Sequence, residues 1–156
     1  MFSDSTITEN ETRRDLPAHL EQLLRTICFR IRVQGREALK NYSITAAQFD
    51  LLQRVYFNGP QTMTKLSQSL GIAKSTTSGL VTRLVRDGFL DRRRDETDRR
   101  VFTVAITPLG EQVIKSVIEM RVRYVEEVIK QIPEEKITLV HNALDILYEV
   151  MSPKQH

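Results

Sequence analysis

The chain has 156 residues, 40% of them hydrophobic and 28% charged, with a formal net charge of +3. That length and apolar share support one compact unit, or a small module with extra helices attached. The single cysteine, Cys28, excludes an internal disulfide and fits a reducing cytosol. No apolar run approaches the length of a membrane span, so a cytoplasmic protein with no membrane partner is expected.

Residues 1–15, MFSDSTITENETRRD, are polar, lack the apolar segment of a secretory signal, and read as a flexible N-terminal arm. Leu16, Leu20, Leu23, Leu24, Ile27 and Ile31 then recur at helical spacing and predict one long helix from about Pro17 to Asn41, weakened locally by Gly35. Thr45-Ala-Ala-Gln48 has the form of a capping box. It opens a helix that carries Phe49, Leu52, Val55 and Tyr56 inward and closes at Asn58-Gly59-Pro60.

From Thr64 to Thr107 the pattern predicts a helix, a tight turn, a second helix and a two-stranded hairpin. The first helix turns Leu66 and Leu70 inward and ends at Gly71, and Ile72 is expected to plug the turn. The second runs from about Ala73 to Asp87, with Thr77, Leu80, Val81 and Leu84 as its inward stripe. Lys74, Ser75, Thr76, Ser78, Gly79, Thr82 and Arg83 fall on the opposite face. Small hydroxyls flanked by cations suit close approach to base edges and phosphates. Ala73 is a poor N-cap, so a hydroxyl among Ser75 to Ser78 is expected to serve in part. The strands are expected at Phe89 to Arg94 and Val101 to Ile106, with Phe102, Val104 and Ile106 inward. Between Asp91 and Arg100 stand five arginines and four acids. A charge run is ordinarily a solvated face, but arginine without lysine on one hairpin suits phosphate and minor-groove contacts.

Thr107-Pro108 has the hydroxyl and proline of a helix start, and that helix should reach about Gln131. Pro133-Glu-Glu opens a last helix with acids at its positive end. Both carry apolar residues on more than one face, from Val113 to Ile129 and from Ile137 to Met151. A small winged domain cannot cover so much apolar surface alone, so a second protomer is expected to cover it. A symmetric dimer would present two reading helices to a pseudo-palindrome.

This order of elements resembles the MarR family of bacterial transcription regulators. The residues that carry the resemblance are Ile44-Thr45-Ala-Ala-Gln48-Phe49, Leu66-Ser-Gln-Ser-Leu-Gly71, Ser75-Thr76-Thr77-Ser78-Gly-Leu80-Val81 and Leu84-Val-Arg-Asp-Gly88-Phe89-Leu90. Most specific is Asp98-Arg99-Arg100 followed by Ile106-Thr107, which looks like the family's D-R-R wing signature ending in L-T, with Ile for Leu. The resemblance spans roughly residues 16 to 151. It implies a mainly α protein with a small β-hairpin wing: a winged helix-turn-helix over 45–106, a helical dimerisation region over 16–44 and 107–151, and a tail over 152–156. It further implies a homodimeric regulator, usually a repressor, that binds double-stranded DNA at a pseudo-palindromic operator and responds to a small-molecule effector.

Carried over by position, Ser75, Thr76, Ser78 and Thr82 would face the major groove, with Lys74 and Arg83 on phosphates. The wing would add Arg94, Asp98, Arg99 and Arg100, with Arg100 in the minor groove and Asp98 orienting it or forming the turn. Gly79 departs from the larger residue common at its position.

Two other readings compete. Cys28-Phe29 resembles superficially the peroxide-sensing cysteine of some relatives, which would make the chain a thiol-based redox regulator. Cys28 lies closer to Thr45 than that cysteine does, and a lone cysteine in an amphipathic helix is ordinarily a small buried hydrophobe. A winged-helix protein-interaction module without specific DNA binding is the other. His19, His141 and His156 lack metal-ligand spacing, and no glycine-rich phosphate loop or nucleophile–histidine pairing suggests an enzyme or a cofactor.

Overall fold

The computed structural model describes residues 9–95, 98 and 100–152. Helix α1 runs Glu9–Gln34 and contains Pro17 in its interior. Residues 9–15 are therefore helical and not an arm; residues 1–8, and residues 153–156 of the expected tail, lie outside the described residues. After Gly35 a short helix, α2, covers Arg36–Asn41, so the expected long helix is two.

Helix α3, Ala46–Asn58, opens on the capping box: the Gln48 N–H donates to Thr45 Oγ1 at 3.2 Å, and the Thr45 N–H donates to Gln48 Oε1 at 2.9 Å. A two-residue strand, β1 at Gln61–Thr62, follows. Helix α4, Met63–Leu70, is capped by Thr62 and closed by Gly71 at φ 66°, ψ 28°, the left-handed region that glycine enters without strain. Ile72 stays exposed and does not plug the turn; its N–H closes the turn instead, on the Ser67 carbonyl. Helix α5 is Lys74–Arg86, strands β2 and β3 are Leu90–Arg94 and Phe102–Ile106, and helices α6 and α7 are Pro108–Ile129 and Glu134–Met151. The sheet order is β1-β3-β2, with both pairings antiparallel.

The core forms where α3, α4, α5, the sheet and the first half of α6 meet. Leu51, Leu52, Val55, Leu66, Val81, Leu84, Val113, Ile114 and Val117 are buried essentially completely. Helix α6 thus belongs to the winged domain through its first three turns. Its attachment is tight. The Thr107 hydroxyl accepts from the Gly110 N–H at 3.1 Å and donates to the Gly88 carbonyl at 2.7 Å. A Cβ on Gly110 would lie 2.3 Å from the Phe89 carbonyl oxygen. Gly35 is a second close approach, since a Cβ there would lie 2.6 Å from Val117 Cγ1. Beside it, the Arg121 guanidinium lies over the Phe49 ring, 5.6 Å from its centroid, and joins α6 to α3.

Beyond that core the helices are apolar and uncovered. No residue of α7 is buried, and Leu139, Ile146 and Val150 are 68%, 62% and 80% exposed. Val122, Val128 and Ile129 of α6, and Leu16, Leu20, Leu23 and Ile27 of α1, are exposed as well. Among the described residues no helix is long and apolar enough to cross a membrane.

Two glycine substitutions should move stability in opposite directions. Gly110→Ala forces a Cβ against backbone and should cost about 1–3 kcal/mol or more, as overpacking does. Gly79→Ala, in the middle of α5 with nothing within 4 Å of the new Cβ, should stabilise by about 1 kcal/mol through helix propensity. Urea denaturation of the two variants checks both signs.

Candidate nucleic-acid interface

Helix α5 divides its side chains as the periodicity predicts. Thr77, Val81 and Leu84 are fully buried and Leu80 is half-buried, while Lys74, Ser75, Thr76, Ser78, Gly79, Thr82 and Arg83 are exposed. The buried face fixes the helix on α3 and α4, and the exposed face carries no large apolar side chain. Thr77 is buried at no polar cost, because its hydroxyl donates to the Ala73 carbonyl at 3.1 Å. Ala73 is the N-cap, and no side chain caps the helix. The hydroxyl cap expected from Ser75 to Ser78 is not formed. The first N–H groups of α5 therefore have no side-chain partner, and Lys74 beside them is exposed.

The wing stands beside this helix. Strand β2 alternates, so Leu90, Arg92 and Arg94 share one face and Asp91 and Arg93 the other. Leu90 is in the core, opposite Ile106. Further along the same face, Arg92 reaches α5, where its Nη2 donates to Thr82 Oγ1 at 3.4 Å. Arg92 thus joins the candidate residues through a contact between wing and helix that spacing alone does not reveal. On the other face the Arg93 guanidinium is paired with Asp91 at 3.4 Å. Arg94 lies over the ring of Phe102, 5.6 Å from its centroid. Phe102 is 50% exposed and not inward-packed as expected: it does share a face with Val104 and Ile106, but the core ends before reaching it.

The wing tip is built by backbone and aspartates. The Asp95 N–H donates to the Val101 carbonyl and the Val101 N–H to that of Asp98, each at 2.9 Å. Asp95 Oδ1 accepts from the Asp98 N–H at 3.1 Å, and Asp98 Oδ1 accepts from the Arg100 N–H at 3.0 Å. Asp98 therefore holds the backbone of Arg100 and forms the turn. Arg100 is exposed at the tip. The expectation for Arg99 lies outside the described residues.

Cys28 is exposed on α1, away from the recognition face, and is not the buried hydrophobe that a lone helical cysteine ordinarily is. No group of histidine, cysteine and acidic residues among the described residues could hold a metal ion.

A helix whose exposed face is all hydroxyl, glycine and cation, set beside an arginine-bearing hairpin, defines a winged helix-turn-helix DNA-binding protein. Known proteins agree. The MarR family profile matches residues 44–102. The chain is 35% identical over 137 residues to the HTH-type transcriptional regulator YsmB of Bacillus subtilis, covering 88% of this chain and 94% of that one. Among solved structures it is similar to the transcriptional regulator Tm0710 of Thermotoga maritima, at 45% identity and a TM-score of 0.78 over 86% of this chain and 94% of that one. It is also similar to a MarR family protein from Bacillus stearothermophilus, at 37% identity and a TM-score of 0.75 over 88% and 96% of the two chains. The chain belongs to the MarR family and is a DNA-binding transcription regulator, not an enzyme.

Arg100→Ala should weaken DNA binding and flatten its salt dependence by about one phosphate contact, a change in slope of about 0.9. Titrations at several salt concentrations give the slope; an unchanged value would remove Arg100 from the interface.

Proposed function

We propose that the chain acts as a homodimeric repressor that binds a pseudo-palindromic operator and is released by a small-molecule effector. The observation that carries this reading is α7, which has no buried residue while Leu139, Leu144, Ile146 and Val150 are half or more exposed. Helices α1 and α6 add apolar surface beyond the core. A single chain in water does not leave such surfaces bare, and a second copy offers self-complementary ones. Two-fold pairing through α1, α6 and α7 sets two α5 helices at a fixed separation, suited to half-sites one turn of the duplex apart.

Within each half, Ser75, Thr76, Ser78 and Thr82 read the major groove, and Lys74, Arg83 and Arg94 meet phosphates. Arg100 enters the minor groove, with Asp98 shaping its turn. An open recess of about 430 Å³, lined by Arg32 of α1, Asp50, Arg54 and Phe57 of α3 and Leu70 of α4, supports a place for an effector where α1 meets the helices that precede α5. An effector that prefers one separation of the two reading helices shifts the population toward it. The protein works in the cytoplasm and needs no cofactor.

Two measurements test this. The pure protein should retain a duplex from a random-sequence pool that outcompetes unselected duplex at fixed salt by about 10³-fold or more; equal competition would favour a protein-interaction module. Leu144→Glu should convert the dimer to monomer in sedimentation velocity with its helical circular dichroism retained. A variant that stays dimeric would take α7 out of the interface.

A further inference from the structure

Phe102 is an aromatic side chain left half in water on a strand whose neighbours on the same face, Val104 and Ile106, are buried and half-buried. It is directly cross-strand from Arg94, and the Arg94 guanidinium lies 5.6 Å from its ring centroid. We propose that Phe102 is a positioning residue for DNA binding, whose ring holds the Arg94 guanidinium along the wing for contact with the phosphate backbone. This rests on the DNA-binding function of the family and assigns a role to a side chain that touches no base.

The placement follows from the sheet. Arg92 and Arg94 lie on one face of β2, and Arg92 already reaches Thr82 on the exposed face of α5. Arg94 is the next residue on that face toward the tip. Thr82, Arg92 and Arg94 thus form a row running from the recognition helix out along the wing, and the ring of Phe102 lies at its outer end. A cation–π contact with the ring uses none of the guanidinium's N–H donors, so they stay available to pair with a phosphate. An arginine restrained in this way loses less rotamer freedom when it docks. Arg93 makes a useful contrast: its guanidinium is paired with Asp91 on the other face. A ring that served only to fill the core would be inward, and this one lies beyond the edge of the core.

The test uses a duplex selected from a random-sequence pool by the wild-type protein and compares affinities by fluorescence anisotropy at fixed salt. Phe102→Leu keeps an apolar side chain but removes the ring, and should lose about two- to fivefold in affinity, the range of an exposed cation–π contact. Phe102→Tyr should restore wild-type affinity, and all three proteins should share one thermal midpoint. In an Arg94→Gln background, Phe102→Leu should cost nothing further. Should leucine lower the midpoint, Phe102→Met gives the same comparison with a larger, flexible side chain. Wild-type affinity in Phe102→Leu, or the same loss in both backgrounds, would overturn the proposal. A wild-type protein that enriches no duplex would overturn the DNA reading itself, and the role of Phe102 with it.

Discussion

One hydroxyl ties the reading unit to the rest of the molecule. Thr107 Oγ accepts from the first turn of α6 at Gly110 and donates to the Gly88 carbonyl at the end of α5's connection to the wing. Its backbone N–H donates to the Phe89 carbonyl at 3.2 Å, the oxygen against which Gly110 leaves no room for a side chain. Helix α5, both long strands and α6 therefore meet at a joint with no slack. Interiors packed this closely move between discrete arrangements and do not deform smoothly.

A second joint lies on the opposite flank. The Arg121 guanidinium of α6 lies over the Phe49 ring of α3, and its Nε is buried without a hydrogen-bond partner among the described residues. Burial first, and then the like charge of Arg32, push its pKa down, while Asp50 opposes them. A buried donor without a partner is costly to leave so. The place where α1, α3 and α6 converge is thus electrostatically under-satisfied, whereas the Thr107 joint is fully bonded.

Much of this was legible in the amino acids because the signals are local. Thr45 and Gln48 form the capping box their spacing predicts, Gly71 takes the left-handed conformation that ends α4, and Thr107-Pro108 starts α6. The buried stripe of α5 follows its 3.6-residue period. What sequence could not supply is non-local. Strand β1 is two residues long, too short to show a period. Alternation assigned Phe102 to the correct face but carries no information on where along that face the core stops. Gly35 reads as a weak point in a helix, and only the approach of Val117 shows that it is required for packing. The Arg92 bond to Thr82 joins residues ten apart through a turn whose geometry no pattern encodes. Helix α1 begins upstream of Pro17 because a proline marks a helix start only when the preceding residues cannot themselves be helical.

In the proposed homodimer each chain is half of a device: the recognition helix packs on its own core, and the exposed surface of α7 is what a second copy would cover. The most direct test is the mass of the complex that the protein forms with a selected duplex, measured by native mass spectrometry across a titration. Two chains per duplex throughout, with no one-chain complex accumulating, is the predicted result. A stable complex of one chain with one duplex at saturation would contradict it.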